Sequence, residues 1–138
     1  MVKSRWSLTV WCGPETSPCF AAVYGAIKAH GHPDVSFPAG PDFHQFARPD
    51  TALKLLSAAG FSNVEVTTVD CAWDLKAPED LFEIYAKGTV RAAMMLASQP
   101  PRNLASIRSA LALSVREHFS QGKRWRVPVP AALVRATA

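Results

Sequence analysis

Glycine is sparse in this 138-residue chain, and its seven copies stand far apart, at positions 13, 25, 31, 40, 60, 88 and 122. No two have the spacing of a G-x-G turn. A loop that brings backbone amides against a nucleotide phosphate needs such closely set glycines, so a site of that kind is excluded. Cysteine is equally scarce: Cys12, Cys19 and Cys71 are an odd set of three with no paired motif. That excludes a disulfide framework and fits reduced thiols in a cytoplasmic setting. Long apolar runs are missing too, and nothing approaches the roughly 18 residues of a membrane-spanning helix. The opening MVKSRWSLTVWCGP has no long apolar centre and no small-residue cleavage site, so it does not read as a signal peptide.

What is present is the composition of a folded domain, 49% hydrophobic and 19% charged, which excludes disorder over most of the length. The net charge is +4, but its basic residues are scattered. The densest group, Lys123, Arg124 and Arg126 around Trp125, reads as a solvated strand entrance rather than a nucleic-acid footprint. We therefore expect neither a nucleic-acid partner nor a membrane.

The chain reads as one α/β domain over 1–138. In segment 1–16, Trp6 to Trp11 form a strand with apolar residues on both parities, the pattern of a strand buried on both faces. Segment 17–49 opens with a helix capped by Ser17, started by Pro18 and stopped by Gly31; its apolar face is Phe20, Val23, Tyr24 and Ile27. A proline- and aromatic-rich loop, HPDVSFPAGPDFHQFARP, completes it. In segment 50–76, Asp50 caps a short helix carrying Leu53, Leu55 and Leu56 to Gly60, and Asn63 to Trp73 form the second strand. Val64 and Val66 face one way along it, Glu65, Thr67 and Val69 the other.

Segment 77–122 reads as a helical pair. The first helix opens at Pro78 and continues past Gly88 to Leu96. The second is capped by Asn103, striped by Leu104, Ile107, Leu111, Val115 and Phe119, and ended by Gly122. Segment 123–138 holds one last strand, Arg124 to Thr137, with Pro128 and Pro130 on one parity. The expectation is thus three strands and about four helices.

Three stretches together are similar to the C-terminal half of class I S-adenosylmethionine-dependent methyltransferases, of the methyltransferase type 11 kind. RWSLTVWCGPETSP resembles their fifth strand, DTALKLLSAAGFSNVEVTTVDCAW their helix leading through "AGF" into the sixth, and GKRWRVPVPAALVRATA their seventh. The segments between resemble the helical cap laid over the substrate. The resemblance implies a partial Rossmann-like fold with a three-stranded mixed sheet, the last strand antiparallel between the first two. Met1-Val2-Lys3-Ser4 stands where the family places a proline-glycine-glycine turn. The glycine-rich cofactor loop and the acidic residue that holds the ribose have no counterpart. The implied protein is a truncated or split methyltransferase, supplying the substrate cap, inactive alone and binding no S-adenosylmethionine by itself.

On that basis Trp11, at the end of the first strand, Phe43, His44 and Phe46 in the loop, and Tyr85 on the third helix are the candidate substrate residues, with Arg91 within reach. Each has a plainer reading. Trp11 and Tyr85 serve as core packing, Phe43 and Phe46 as pins for the loop, His44 as an exposed side chain and Arg91 as surface charge. Cys12 has no visible base to make it a nucleophile. His30 and His32 straddle a helix end and with His44 make no convincing metal set. Two other functions compete: a non-catalytic module that dimerises to cover the free edge of the first strand, and a small-ligand-binding module.

Overall fold

The chain runs β1 (Arg5–Trp11), α1 (Pro18–His30), a 3-10 turn (Gln45–Ala47), α2 (Pro49–Ala58), β2 (Ser62–Val69), β3 (Ala72–Leu75), α3 (Asp80–Gly88), α4 (Arg91–Ala97), α5 (Pro101–His118), β4 (Ser120–Gln121), β5 (Arg124–Pro128) and β6 (Ala131–Thr137). This is a computed structural model describing residues 4–138. Met1, Val2 and Lys3, part of the segment compared with the family's turn, lie outside the described residues.

The architecture is α/β, with two three-stranded antiparallel sheets. In the first, ordered β1-β6-β2, the closing strand is antiparallel to both neighbours, with Leu8 opposite Val134 and Val134 opposite Val66. The second is ordered β3-β5-β4.

The second sheet corrects two expectations. The stretch 63–73 is not one strand, because the chain leaves the first sheet at Asp70 and enters the second at Ala72. The stretch 124–137 likewise divides between β5 and β6. The cause lies in Pro130, which has no amide hydrogen to give a ladder. Around it the Val129 amide donates to the Cys71 carbonyl at 2.8 Å and the Cys12 amide to the Pro130 carbonyl at 3.0 Å. These bonds satisfy the backbone where the sheets change over.

Nor is β1 buried on both faces. Trp6, Leu8 and Val10 are half-buried, whereas Ser7, Thr9 and Trp11 are exposed. Among the described residues, α2 and the 3-10 turn pack on one face of this sheet, through Ala52, Leu56 and Phe46 against Val134, Leu8 and Val66. The reverse face stays open, and the outer edge of β1 has no partner strand among the described residues.

Helix α1 forms as local chemistry dictates. The Ser17 hydroxyl accepts the Phe20 amide at 3.4 Å and Pro18 occupies the first turn, where its missing amide costs nothing. The other helix starts differ from expectation. Helix α2 begins at Pro49, preceded by Arg48 rather than capped by Asp50, and its buried residues are Ala52 and Leu56 while Leu53 and Leu55 face outward. Helix α5 begins at Pro101, and Asn103 caps nothing; its side-chain amide donates to the His30 carbonyl at 2.9 Å, tying α5 to the end of α1. The long third helix is two, α3 and α4. The Thr89 hydroxyl between them donates to the Tyr85 carbonyl at 2.8 Å and accepts the Ala93 amide at 3.3 Å. Gly122 does not end α5 but turns the β4–β5 hairpin at φ 61°, a conformation costly for residues with a Cβ.

The larger apolar core lies where α1, α3, α4 and α5 pack on the second sheet, around Val23, Leu81, Leu96, Ile107, Leu111 and Val127. Burying each large aliphatic there contributes about 1.5–3 kcal/mol. Ile107 is 1% exposed and Leu113 on the same helix is 51% exposed. Ile107→Ala should therefore lower unfolding free energy by about 2–5 kcal/mol. Leu113→Ala should change it by less than about 0.5 kcal/mol. Urea titration followed by circular dichroism distinguishes the two.

Candidate functional site

A cavity of about 500 Å³ opens where the two sheets change over. Trp11 enters it from the end of β1, Phe20 and Tyr24 from α1, Phe43 from the loop, Trp73 from β3, and Ile84 and Tyr85 from α3. The α3–α4 bend from Gly88 to Ala92 and Val129 at the strand junction complete the wall. Small-molecule sites measure roughly 300–1,000 Å³ and are mostly apolar with a few polar groups; this cavity has that size and character.

Its titratable groups are held neutral or are permanently charged. Burial pushes the Tyr85 phenol well above its ordinary value. Its only hydrogen-bond partner among the described residues is the buried Cys19 thiol, with Oη 3.3 Å from Sγ. Burial likewise pushes Cys19 up to about 11 and raises Tyr24, where the Arg91 guanidinium acts in the opposite sense. Arg91 is the one charged residue of the wall among the described residues. The Cys12 thiol beside the cavity is raised chiefly by burial, against a lowering hydrogen bond from Thr16. It is therefore a protonated, unactivated thiol. The cavity is equipped to hold an apolar molecule; no nucleophile paired with a base lines it among the described residues.

The structure brings Trp11, Phe43 and Tyr85 together in one wall, with Trp11 41% exposed. Trp11 is thus not the core-packing residue of its plainer reading, although Tyr85 is both buried and lining. Phe46 is a correction. It faces away, packed on α2 and the first sheet, because the 3-10 turn sends adjacent side chains to different sides. His44 is also not the exposed side chain of its plainer reading, being 5% exposed. It lies behind the wall, its ring edge-on to Phe20 at 4.8 Å and against Phe43 at 4.0 Å. Its Nδ1 lies 2.8 Å from the Trp11 carbonyl oxygen. A carbonyl only accepts, so Nδ1 donates a proton to it, and Nε2 is buried without a partner among the described residues.

His44 is thus a clamp between the loop and the end of β1. Among the described residues no group of three His, Cys, Asp or Glu side chains is placed to hold a metal, His30, His32 and His44 included. Phe20, Tyr24, Trp73 and Val129 line the cavity without having been singled out from the sequence. Helical spacing already placed Phe20 and Tyr24 on one face, but spacing does not say what that face lines.

S-adenosylmethionine does not fit these residues. The wall offers no carboxylate for ribose hydroxyls, and its single charge, Arg91, has the same sign as the sulfonium. The turn after β1, Cys12-Gly13-Pro14, has one glycine and a proline without an amide hydrogen.

The loop carrying Phe43 is tied down by charge as well. The Arg48 guanidinium reaches the Glu15 carboxylate at 3.0 Å and also pairs with Asp42, whose Oδ1 accepts the His44 amide at 2.9 Å. Both carboxyls are held below their ordinary values, Glu15 by a hydrogen bond from its own backbone amide and then by Arg48, Asp42 by Arg48 and then by the His44 amide. A carboxylate depressed in the folded state adds stability above its unfolded value, and that contribution vanishes as pH falls through the folded value. Acidification below the carboxylate range should loosen residues 32–48 and raise their cleavage in limited proteolysis. Arg48→Ala should do so at neutral pH, and added salt should weaken the tie in the unmodified chain because the groups are about half exposed.

No family model matches this chain, and no curated protein matches it.

Proposed function

We propose that this chain binds a small apolar molecule as the substrate-holding half of a class I S-adenosylmethionine-dependent methyltransferase-like fold. The aromatic cavity at the carboxyl end of β1, under α3 and α4, carries this reading. In open α/β sheets, ligands sit at the carboxyl ends of strands. The order β1-β6-β2, with its antiparallel middle strand, supports the Rossmann-like part of it. The strands that would flank a cofactor crevice are not among those of the first sheet. Methyl transfer would therefore require further strands beside β1, whose outer edge has no partner among the described residues. This half would supply an apolar pocket and exclude water from the acceptor, which positions it for in-line displacement.

The free edge and the open face of the first sheet favour a second reading, a non-catalytic module that associates through β1. Light scattering across a concentration series separates the two: self-association through β1 should rise with concentration and disappear with Thr9→Pro, which removes an amide from that strand.

Two measurements test the first reading. Neutral 2-naphthamide should quench the fluorescence of Trp11 and Trp73 saturably. Gly88→Phe should weaken that binding about tenfold or more without unfolding the chain, because Gly88 lines the cavity and a Cβ there meets nothing within 4 Å. Absence of saturable quenching by this amide and by the corresponding carboxylate overturns the cavity assignment. In calorimetry the chain alone should show no saturable heat with S-adenosylmethionine; tight binding would overturn its placement as the cofactor-free half.

A further inference from the structure

Arg91 stands at the start of α4 with its guanidinium donating to the Pro38 carbonyl at 3.2 Å. That uses one of five N–H donors. No carboxylate among the described residues pairs with it, whereas Arg48 has two and Arg108, Arg116, Arg126 and Arg135 have one each. The Tyr24 hydroxyl, half-buried in the same wall, makes no hydrogen bond to protein among the described residues. The Arg91 guanidinium acts on it electrostatically, and more weakly, in the opposite sense, so does the Asp42 carboxylate, which is already paired with Arg48. The Thr89 hydroxyl, by contrast, is fully engaged with backbone. The wall of an otherwise apolar, ring-lined cavity therefore carries a guanidinium with donors to spare and a phenol without a protein partner among the described residues.

Three ligand charges can be compared. A cationic ligand would meet a like charge and no acid in the wall. A neutral ligand that covers Arg91 would strip water from the guanidinium and give nothing back, which makes it the weaker binder. An anion on the ligand would receive charge-assisted hydrogen bonds from the exposed guanidinium and the half-buried phenol. The aromatic walls formed by Trp11, Phe20, Phe43 and Trp73 suit a flat ring system, which gains offset and edge-on contacts beyond simple burial.

We infer that the cavity takes a flat aromatic carboxylate, its ring between the tryptophan and phenylalanine side chains and its carboxylate held by Arg91 with the Tyr24 hydroxyl. This rests on the reading of the cavity as a ligand site and adds the chemical class of ligand. Arg91 is here a specificity residue, and the carboxylate oxygens accept from both the guanidinium and the phenol.

The test compares 2-naphthoate with its neutral counterpart 2-naphthamide on the full chain, by tryptophan quenching and calorimetry. Naphthoate should bind about tenfold more tightly, the scale of one charge-assisted hydrogen bond. The preference should vanish in Arg91→Gln, persist in part in Arg91→Lys, and shrink with added salt. Equal binding of both compounds, or a preference unchanged in Arg91→Gln, overturns the assignment to Arg91 while leaving the cavity a ligand site. Failure of both compounds to bind removes the ligand site itself, and this inference with it. The unmodified chain alone reports the naphthoate preference, so the comparison does not depend on a variant folding.

Discussion

Two backbone hydrogen bonds at the change of sheets govern most of this structure. The Val129 amide meets the Cys71 carbonyl and the Cys12 amide meets the Pro130 carbonyl, so three segments distant in sequence are fixed at one point. Buried backbone groups must be paired, and here the pairing occurs where no regular ladder can continue because Pro130 has no donor. Cys12 and Val129 are correspondingly buried. Trp11, Trp73 and Val129, each within two residues of these bonds, all line the cavity. The cavity is therefore a consequence of the crossover: strands that part to join different sheets leave a gap that neither sheet fills.

Coverage of the two sheets is unequal, and that inequality shapes what the surface can do. Most helices serve the second sheet, where the stripe of α5 and the buried faces of α1 and α3 form the larger core. The first sheet receives α2 on one face only. Its open face is polar toward one end, where Arg135 pairs with Glu65 at 3.2 Å. Toward the other it carries Trp11 and Val69, both exposed. The bare face, the free β1 edge and the mouth of the cavity thus belong to one side of the molecule. A partner placed there would cover the edge and border the cavity.

The loop between α1 and α2 joins packing to binding. It has little regular structure of its own, yet His44 anchors it to the β1 end and Arg48 to the acids on either side. Phe43, half-exposed at the cavity, is placed by those anchors through its contact with the His44 ring. A wall residue whose position depends on half-exposed ion pairs is one that conditions can move, in contrast to Tyr85 on the buried face of α3.

Local sequence determined the α/β class, the span of α1, the apolar stripe of α5, the alternation of Val64 and Val66, and the lack of a glycine-rich phosphate loop. Each depends on contacts within a few residues: a hydroxyl reaching an amide three positions on, a proline missing a donor, side chains recurring at the helical or strand period. Tertiary structure alone decided that the segments 63–73 and 124–137 would each split between sheets, that Phe46 would turn away from Phe43, that His44 would be buried, and that Asn103 would reach His30. A period shows which side chains share a face but carries no information on what lies opposite. The partners of His44, Asn103 and Val129 are 33, 73 and 58 residues away in the chain, a distance over which only the folded arrangement makes them neighbours.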